Sequence, residues 1–170
     1  MNKNIITVLL GLLLSTSTLV NAGDNKIGAS LNQKQELALV EIPASAMATI
    51  LENHPDFIAQ EAEMELKHGK TYLDIEGIGQ TGKEIEFDML LKDGTWQIVE
   101  IQRDLVILQC PEMVLNVLPD ISPQRIIESD QTNGIVIYEF YTVDENNKEG
   151  KYEVKVENNQ AVLLTKEWTH

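Results

Sequence analysis

The stretch Glu36-Leu37-Ala38-Leu39-Val40-Glu41-Ile42-Pro43 returns 68 residues later as Asp104-Leu105-Val106-Ile107-Leu108-Gln109-Cys110-Pro111. In both, an acid leads, an apolar run follows and a proline closes. Self-similarity at a fixed spacing is the sequence mark of a repeated structural unit. At the same spacing Pro55 falls on Pro123. Between the prolines of each pair, apolar residues recur at helical intervals: Ala46, Met47, Ile50 and Leu51 in the first, Val114, Leu115 and Leu118 in the second. Pro43 and Pro111 suit the first helical turn, where the N–H they lack has no intrahelical partner. Pro55 and Pro123 stop the helix, because the residue before a proline avoids the α region.

Beyond the helix the spacing falls to 65, and strand patterns correspond. Leu73-Asp74-Ile75 matches Tyr138-Glu139-Phe140, and Glu86-Phe87-Asp88-Met89 matches Lys151-Tyr152-Glu153-Val154. The turn Lys92-Asp93-Gly94 matches Glu157-Asn158-Asn159, and Ile98-Val99 matches Leu163-Leu164. Alternating apolar and polar residues give the period of a half-buried strand. Asp-Gly and Asn-Asn accept positive φ and read as hairpin turns. The expected fold class is α+β, with two tandem repeats of one helix plus about four antiparallel strands each. Repeat 1 spans 35–102 and repeat 2 spans 103–170. A unit of that size buries too little surface to be secure alone, so the two must share a core or continue one sheet.

Residues 1–22 read as an address. Lys3 precedes the apolar run Ile5–Leu14, and Val20 and Ala22 stand at the −3 and −1 positions of a secretory cleavage site after Ala22. The run falls short of the ~20 residues that cross a bilayer. The expected location is periplasmic or secreted, with no membrane attachment after cleavage. Residues 23–34, rich in Gly, Asn, Lys and Ser, read as a flexible leader.

Composition narrows the partners. The chain has 170 residues, 43% of them hydrophobic, and a formal net charge of −14. That charge argues against nucleic acid and anionic membranes, which ask for clustered Lys and Arg. Cys110 is the one cysteine, which excludes an internal disulfide framework. It reads either as a buried small hydrophobe or as half of an intermolecular disulfide.

The ordered set Ile42-Pro43, His54-Pro55, the Tyr72–Glu76 and Glu84–Leu91 strands and Lys92-Asp93-Gly94-Thr95-Trp96 resembles the PepSY-like, beta-lactamase-inhibitor-protein-like family of secreted bacterial proteins. Cys110-Pro111, Ser122-Pro123, Tyr138–Tyr141 and Tyr152–Val156 repeat it, while Asn158-Asn159-Gln160-Ala161 departs at the last turn. The resemblance implies helices on one face of a curved antiparallel sheet. It does not carry a function over, since fold does not fix function.

If helices cover one face, alternation sorts the rest. Leu73, Ile75, Ile85, Phe87, Met89 and Leu91 point to the helix. Glu61, Glu63, Glu65, Tyr72, Asp74, Glu76, Glu84, Glu86 and Asp88 point outward, with Lys67 as the nearest compensating base. In the second half the same face mixes signs, with Glu139, Tyr141, Glu149, Lys151, Glu153 and Lys155. These outward acids, with Tyr72 and Tyr141, are the candidate partner-binding residues. A solvated face that keeps the protein soluble and blunts edge pairing is the plainer account of the same pattern. Trp96 and Trp168 read as packing residues.

No catalytic, cofactor or metal site is expected. His54, His68 and His170 lack a second His or Cys at ligand spacing. Asp144–Gly150 fails as a calcium loop, because Lys148 takes a ligand position and the glycine is misplaced. Catalytic carboxylates need a desolvated pocket to separate their pKa values, and an open sheet lacks one. The expected function is a non-enzymatic, exported binding module, with an inhibitor-like role as one form of it, gripping a basic protein partner through an acidic sheet face. The alternatives are an acidic buffer for cations or cationic peptides, and an uncharacterised hydrolase.

Overall fold

The computed structural model describes residues 32–168. The expected signal, residues 1–22, and most of the expected leader, residues 23–31, lie outside them. The strands are β1 (Asn32–Glu36), β2 (Ile58–Lys67), β3 (Lys70–Ile78), β4 (Glu84–Lys92), β5 (Thr95–Leu105), β6 (Arg125–Asp130), β7 (Ile135–Val143), β8 (Glu149–Glu157) and β9 (Gln160–Leu163). Helix α1 (Ala44–Asn53) lies between β1 and β2, and α2 (Glu112–Leu115) between β5 and β6. Every strand pairs antiparallel with the next in sequence, giving one nine-stranded open sheet.

That architecture corrects the expected α+β fold of two repeats, each one helix plus about four strands. There is one sheet, and it continues through the β5–β6 pairing, from Leu105 opposite Ile126 to Ile101 opposite Asp130. Pairing there satisfies backbone groups that two separate units would each leave on an open edge. Helix is a minor component, with ten residues in α1 and four in α2. The helix expected through Leu118 stops early because Pro119 forces its predecessor out of the α region. In α1 the run Ala44, Ala46, Met47, Ala48, Leu51 and Glu52 supplies strong helix formers and no proline until Pro55. β1 begins at Asn32, within the 23–34 stretch assigned to the leader.

Both proline-closed runs form 3-10 turns, Leu39–Glu41 and Ile107–Gln109. The side chain three residues into each turn reaches back to a backbone N–H: Ala38 donates to Glu41 at 2.9 Å and Val106 to Gln109 at 3.0 Å. Pro43 and Pro111 then sit at the N-caps of α1 and α2.

Register carries both helices to the same sheet face. Ala46 and Ile50 of α1 pack on Leu73, Ile75, Phe87, Met89 and Trp96. Val114 of α2 and Cys110 pack on Ile126, Tyr138, Phe140 and Val154. A polar seam separates the two clusters: Arg103 pairs with Glu128, which accepts from the Tyr138 hydroxyl at 3.1 Å. Cys110 is buried and unbridged.

One glycine is fixed by close approach. Gly77 lies opposite Ala59, beside the register shift between Ala59 and Glu61. A Cβ there would come within 2.2 Å of the Ile58 carbonyl oxygen and 2.8 Å of the Phe57 ring. Backbone cannot swing aside as a side chain can. We expect Gly77→Ala to lower stability by about 3 kcal/mol, the upper range for overpacking. Urea denaturation checks it, and a wild-type midpoint would refute the close approach.

Candidate functional site

The face opposite the helices carries the candidate residues. On it, register lines up acids across strands. One row runs Glu36, Glu63, Asp74, Asp88 and Glu100, each opposite the next on β1 to β5. A second runs Glu61, Glu76 and Glu86 and ends on Gln102. A third runs Lys34, Glu65, Tyr72 and Leu90. Glu84 continues the face one step along β4, opposite Ile78. Like charges facing each other across strands destabilise a sheet.

Glu61 and Glu84 are exposed, whereas Glu63, Glu65, Tyr72, Asp74, Glu76, Glu86 and Asp88 are half-buried. Lys34, Glu36, Glu61, Glu63, Asp74, Glu76 and Glu86 line an open depression of about 500 Å³. The compensating base is Lys34, whose Nζ lies 2.6 Å from Glu63. The expected base, Lys67, instead sits beside the β2–β3 turn, opposite Lys70.

Crowding and burial show in the titration of these groups. Burial raises Asp74 to about 6; Lys34 opposes the shift, and Glu63, Glu65 and Glu100 add to it. Burial, then Asp74, Glu76 and Glu100, raise Glu86, with Arg125 opposing. Asp88 is raised above neutrality by burial first, then by Asp74, Glu100 and Glu86 and a hydrogen bond with Glu100. Its Oδ1 is buried without a hydrogen-bond partner.

Glu100 is the member that alternation misses. Counting by twos from Trp96 and Ile98 puts it on the helix side. A register shift, with Met89 opposite Ile98 but Asp88 opposite Glu100, brings it to the acidic face. It is 5% exposed and accepts a hydrogen bond from the Ser129 hydroxyl. Only the partner strand reveals such a shift.

Tyr141 shares the sheet face but not the cluster. It lies on β7, between Arg125 of β6 and Lys151 of β8. At ~4.8 Å between neighbouring strands, three strand steps separate it from β4. Its hydroxyl donates to Glu139, and Lys151 Nζ stands 6.0 Å from its ring centroid. Burial and the Glu139 bond push the phenol up to about 12.

The second half of this face is largely closed. Ile127, Ser129, Gln131, Ile137 and Glu153 are buried. The segment after β9 runs back along β8: Leu164 N–H donates to the Glu153 carbonyl at 2.8 Å, and Trp168 N–H to the Glu153 carboxylate at 2.6 Å. Trp168 Nε1 donates to Gln131 at 3.4 Å. Trp96 belongs to the first core cluster.

The remaining sequence features are local structure. His54 caps the end of α1 and its ring meets Phe87 edge-on at 4.8 Å. Asp144 Oδ1 accepts from the N–H groups of Asn146 at 2.8 Å and Lys148 at 2.9 Å, closing the β7–β8 turn. Among the described residues, no group of three or more His, Cys, Asp or Glu is arranged to hold a metal ion. No helix among them is long and apolar enough to cross a membrane.

Comparison with protein-family models, curated proteins and solved structures finds no match to this chain, so the family resemblance rests on the quoted residues alone.

Proposed function

We propose that this protein is an exported, non-enzymatic binding module that grips a basic protein partner through the acidic face of β2–β5. The observation that supports the reading is the directly opposed row Glu63, Asp74, Asp88 and Glu100. A face that served only solubility could spread its charges or interleave them with lysine. Here acids are stacked across strands and partly desolvated, an arrangement that opposes their ionisation and raises the proton affinity of Asp74, Glu86 and Asp88. Cationic side chains laid across the rows would relieve it. Guanidinium groups match carboxylates in geometry as well as charge, so an arginine-rich patch is the complementary surface. An inhibitor-like role follows if that patch borders an enzyme's active site.

The test changes Glu63→Gln, Asp74→Asn, Glu86→Gln and Asp88→Asn together. We expect stability to rise by about 1 kcal/mol at alkaline pH, where the raised acids are charged and face one another. Capture of the partner from the exported fraction is lost. A gain in stability with loss of capture marks residues kept for function. Capture that survives the four changes removes the acidic face from binding. Binding of Ca²⁺ or spermine that is weak and salt-sensitive, without saturation by one partner, favours the cation-buffer alternative instead.

A further inference from the structure

We propose that Thr132, in the turn between β6 and β7, is a positioning residue for the acidic face: its hydroxyl clasps the bulge of β5 that sets Glu100 opposite Asp88. The clasp stands apart from the binding reading, while its effect on binding rests on that reading.

The backbone at Thr132 is the first observation. Its φ is +55°, in the left-handed region. A β-branched residue is an outlier there, where Gly, Asn and Asp are the usual occupants. Strain of this kind persists only where the surroundings fix it, and it gathers at sites with a task. Around it, Gln131 N–H donates to the Ile135 carbonyl at 2.9 Å, Thr132 N–H to Asp130 Oδ1 at 2.9 Å and Ile135 N–H to Asn133 Oδ1 at 3.0 Å. None of these bonds uses the threonine side chain, so the turn by itself gives no reason for a threonine.

The hydroxyl supplies the reason. Thr132 Oγ1 lies 3.2 Å from the Val99 carbonyl oxygen and 3.3 Å from that of Ile98. Its single hydrogen goes to one of them or is shared by both. In a regular strand successive carbonyls point to opposite edges, and a group on one edge meets only every second one. Here one hydroxyl reaches two in succession, because β5 is bulged. Met89 is opposite Ile98 and Asp88 is opposite Glu100, which leaves Val99 as the extra residue. The β5–β6 ladder ends at Ile101 opposite Asp130, so past that point the Thr132 hydroxyl stands where a strand partner would. The clasp fits the bulged strand and not a regular one.

The bulge decides which face Glu100 takes. A change of one residue moves a side chain to the other side of the sheet. Without it, alternation from Trp96 puts Glu100 among the first core cluster. With it, Glu100 completes the row of Glu63, Asp74 and Asp88. The same turn also holds the carboxyl: the Ser129 hydroxyl donates to Glu100, and the Gln131 amide donates to Ser129 Oγ at 2.6 Å. An arginine-rich surface laid on this face therefore meets a row whose last member is set by Thr132.

The test compares Thr132→Gly, which accepts the left-handed turn and lacks the hydroxyl, with Thr132→Ser, which keeps the hydroxyl. Cross-strand nuclear magnetic resonance contacts should place Glu100 opposite Asp88 in wild type and Thr132→Ser, with one set of signals. In Thr132→Gly we expect a second set with Glu100 out of that register, and exchange of its amide hydrogen faster by about tenfold. Hexa-arginine at low salt is the binding probe. Thr132→Gly should bind it about threefold more weakly than wild type, and Thr132→Ser should match wild type. A glycine variant that keeps the wild-type register and exchange overturns the clasp. One that loses the register yet binds hexa-arginine like wild type overturns the positioning role. Wild type that does not bind hexa-arginine counts against the acidic-face reading, and register and exchange then decide the clasp. If Thr132→Gly does not fold, Thr132→Val, which keeps the shape without the hydroxyl, takes its place in each comparison.

Discussion

Replacing Phe87 with alanine lowers stability by about 4 kcal/mol, within the range for deleting a buried aromatic ring. Phe87 is fully buried at the centre of the first cluster. Phe57 meets it edge-on at 5.0 Å and His54 at 4.8 Å, so two further rings lose a partner. The ring lies between α1 and the sheet, where backbone collapse into the space is restrained by strand pairing on both sides. Chemical denaturation measures the loss. A change below about 1 kcal/mol would mean that the site relaxes or that α1 does not pack on β4.

Lys151→Met has the second large effect, expected at about 3 kcal/mol at neutral pH, as for a buried carboxylate stripped of its base. Lys151 Nζ lies 2.7 Å from Glu153, 2.7 Å from Glu167 and 3.4 Å from Glu139. Burial works against its charge, but bonds to Glu153 and Glu167 hold the ammonium above the ordinary lysine range. Glu153 is 5% exposed, and the Lys151 ammonium at 2.7 Å is the charge that compensates its Oε1. The other carboxylate oxygen accepts from Trp168 N–H, which ties the loss to the C-terminal segment. Methionine keeps the volume of the lysine stem and removes the charge. Acidification enough to protonate carboxylates should restore part of the loss. An unchanged midpoint at neutral pH would show that water, not Lys151, supports Glu153.

The two substitutions probe unlike parts of the sheet. Phe87 tests the helix-covered side of β4, where apolar area dominates. Lys151 tests the opposite side of β8, where a buried acid is held by one base and a returning chain end. Among the described residues, no such return segment lies over the acidic cluster of β2–β5, and Lys34 at its edge is paired with Glu63. The difference between the halves is thus not only in charge but in what lies across the face.

Much of this was legible in residues. Leu73, Ile75, Phe87 and Met89 alternate with Asp74, Glu86 and Asp88, and the structure buries the first set and leaves the second half-buried on the other side. Asp93-Gly94 and Asn158-Asn159 turn with positive φ, as their types allow. The proline-closed runs read as helix entrances, and both entrances exist. Periodicity through Leu118, with Pro123 taken as the stop, overextends the second helix, which ends ahead of Pro119. The two-repeat architecture failed because local patterns specify strands but not where one sheet ends. Glu100, Lys34 and the placement of Tyr141 away from the acids were likewise not legible.

By itself the sequence determined which side of a strand each residue takes, where the chain turns and where a helix can start. Those are consequences of the pleat, of φ preference and of the missing proline N–H, all acting within a few residues. The tertiary structure alone decided that nine strands form one sheet, that a register shift sets Glu100 against Asp88, and that Trp168 returns to Gln131 and Glu153. Register, burial and long-range hydrogen bonds depend on groups far apart in sequence, and they acquire values only when the strands have paired.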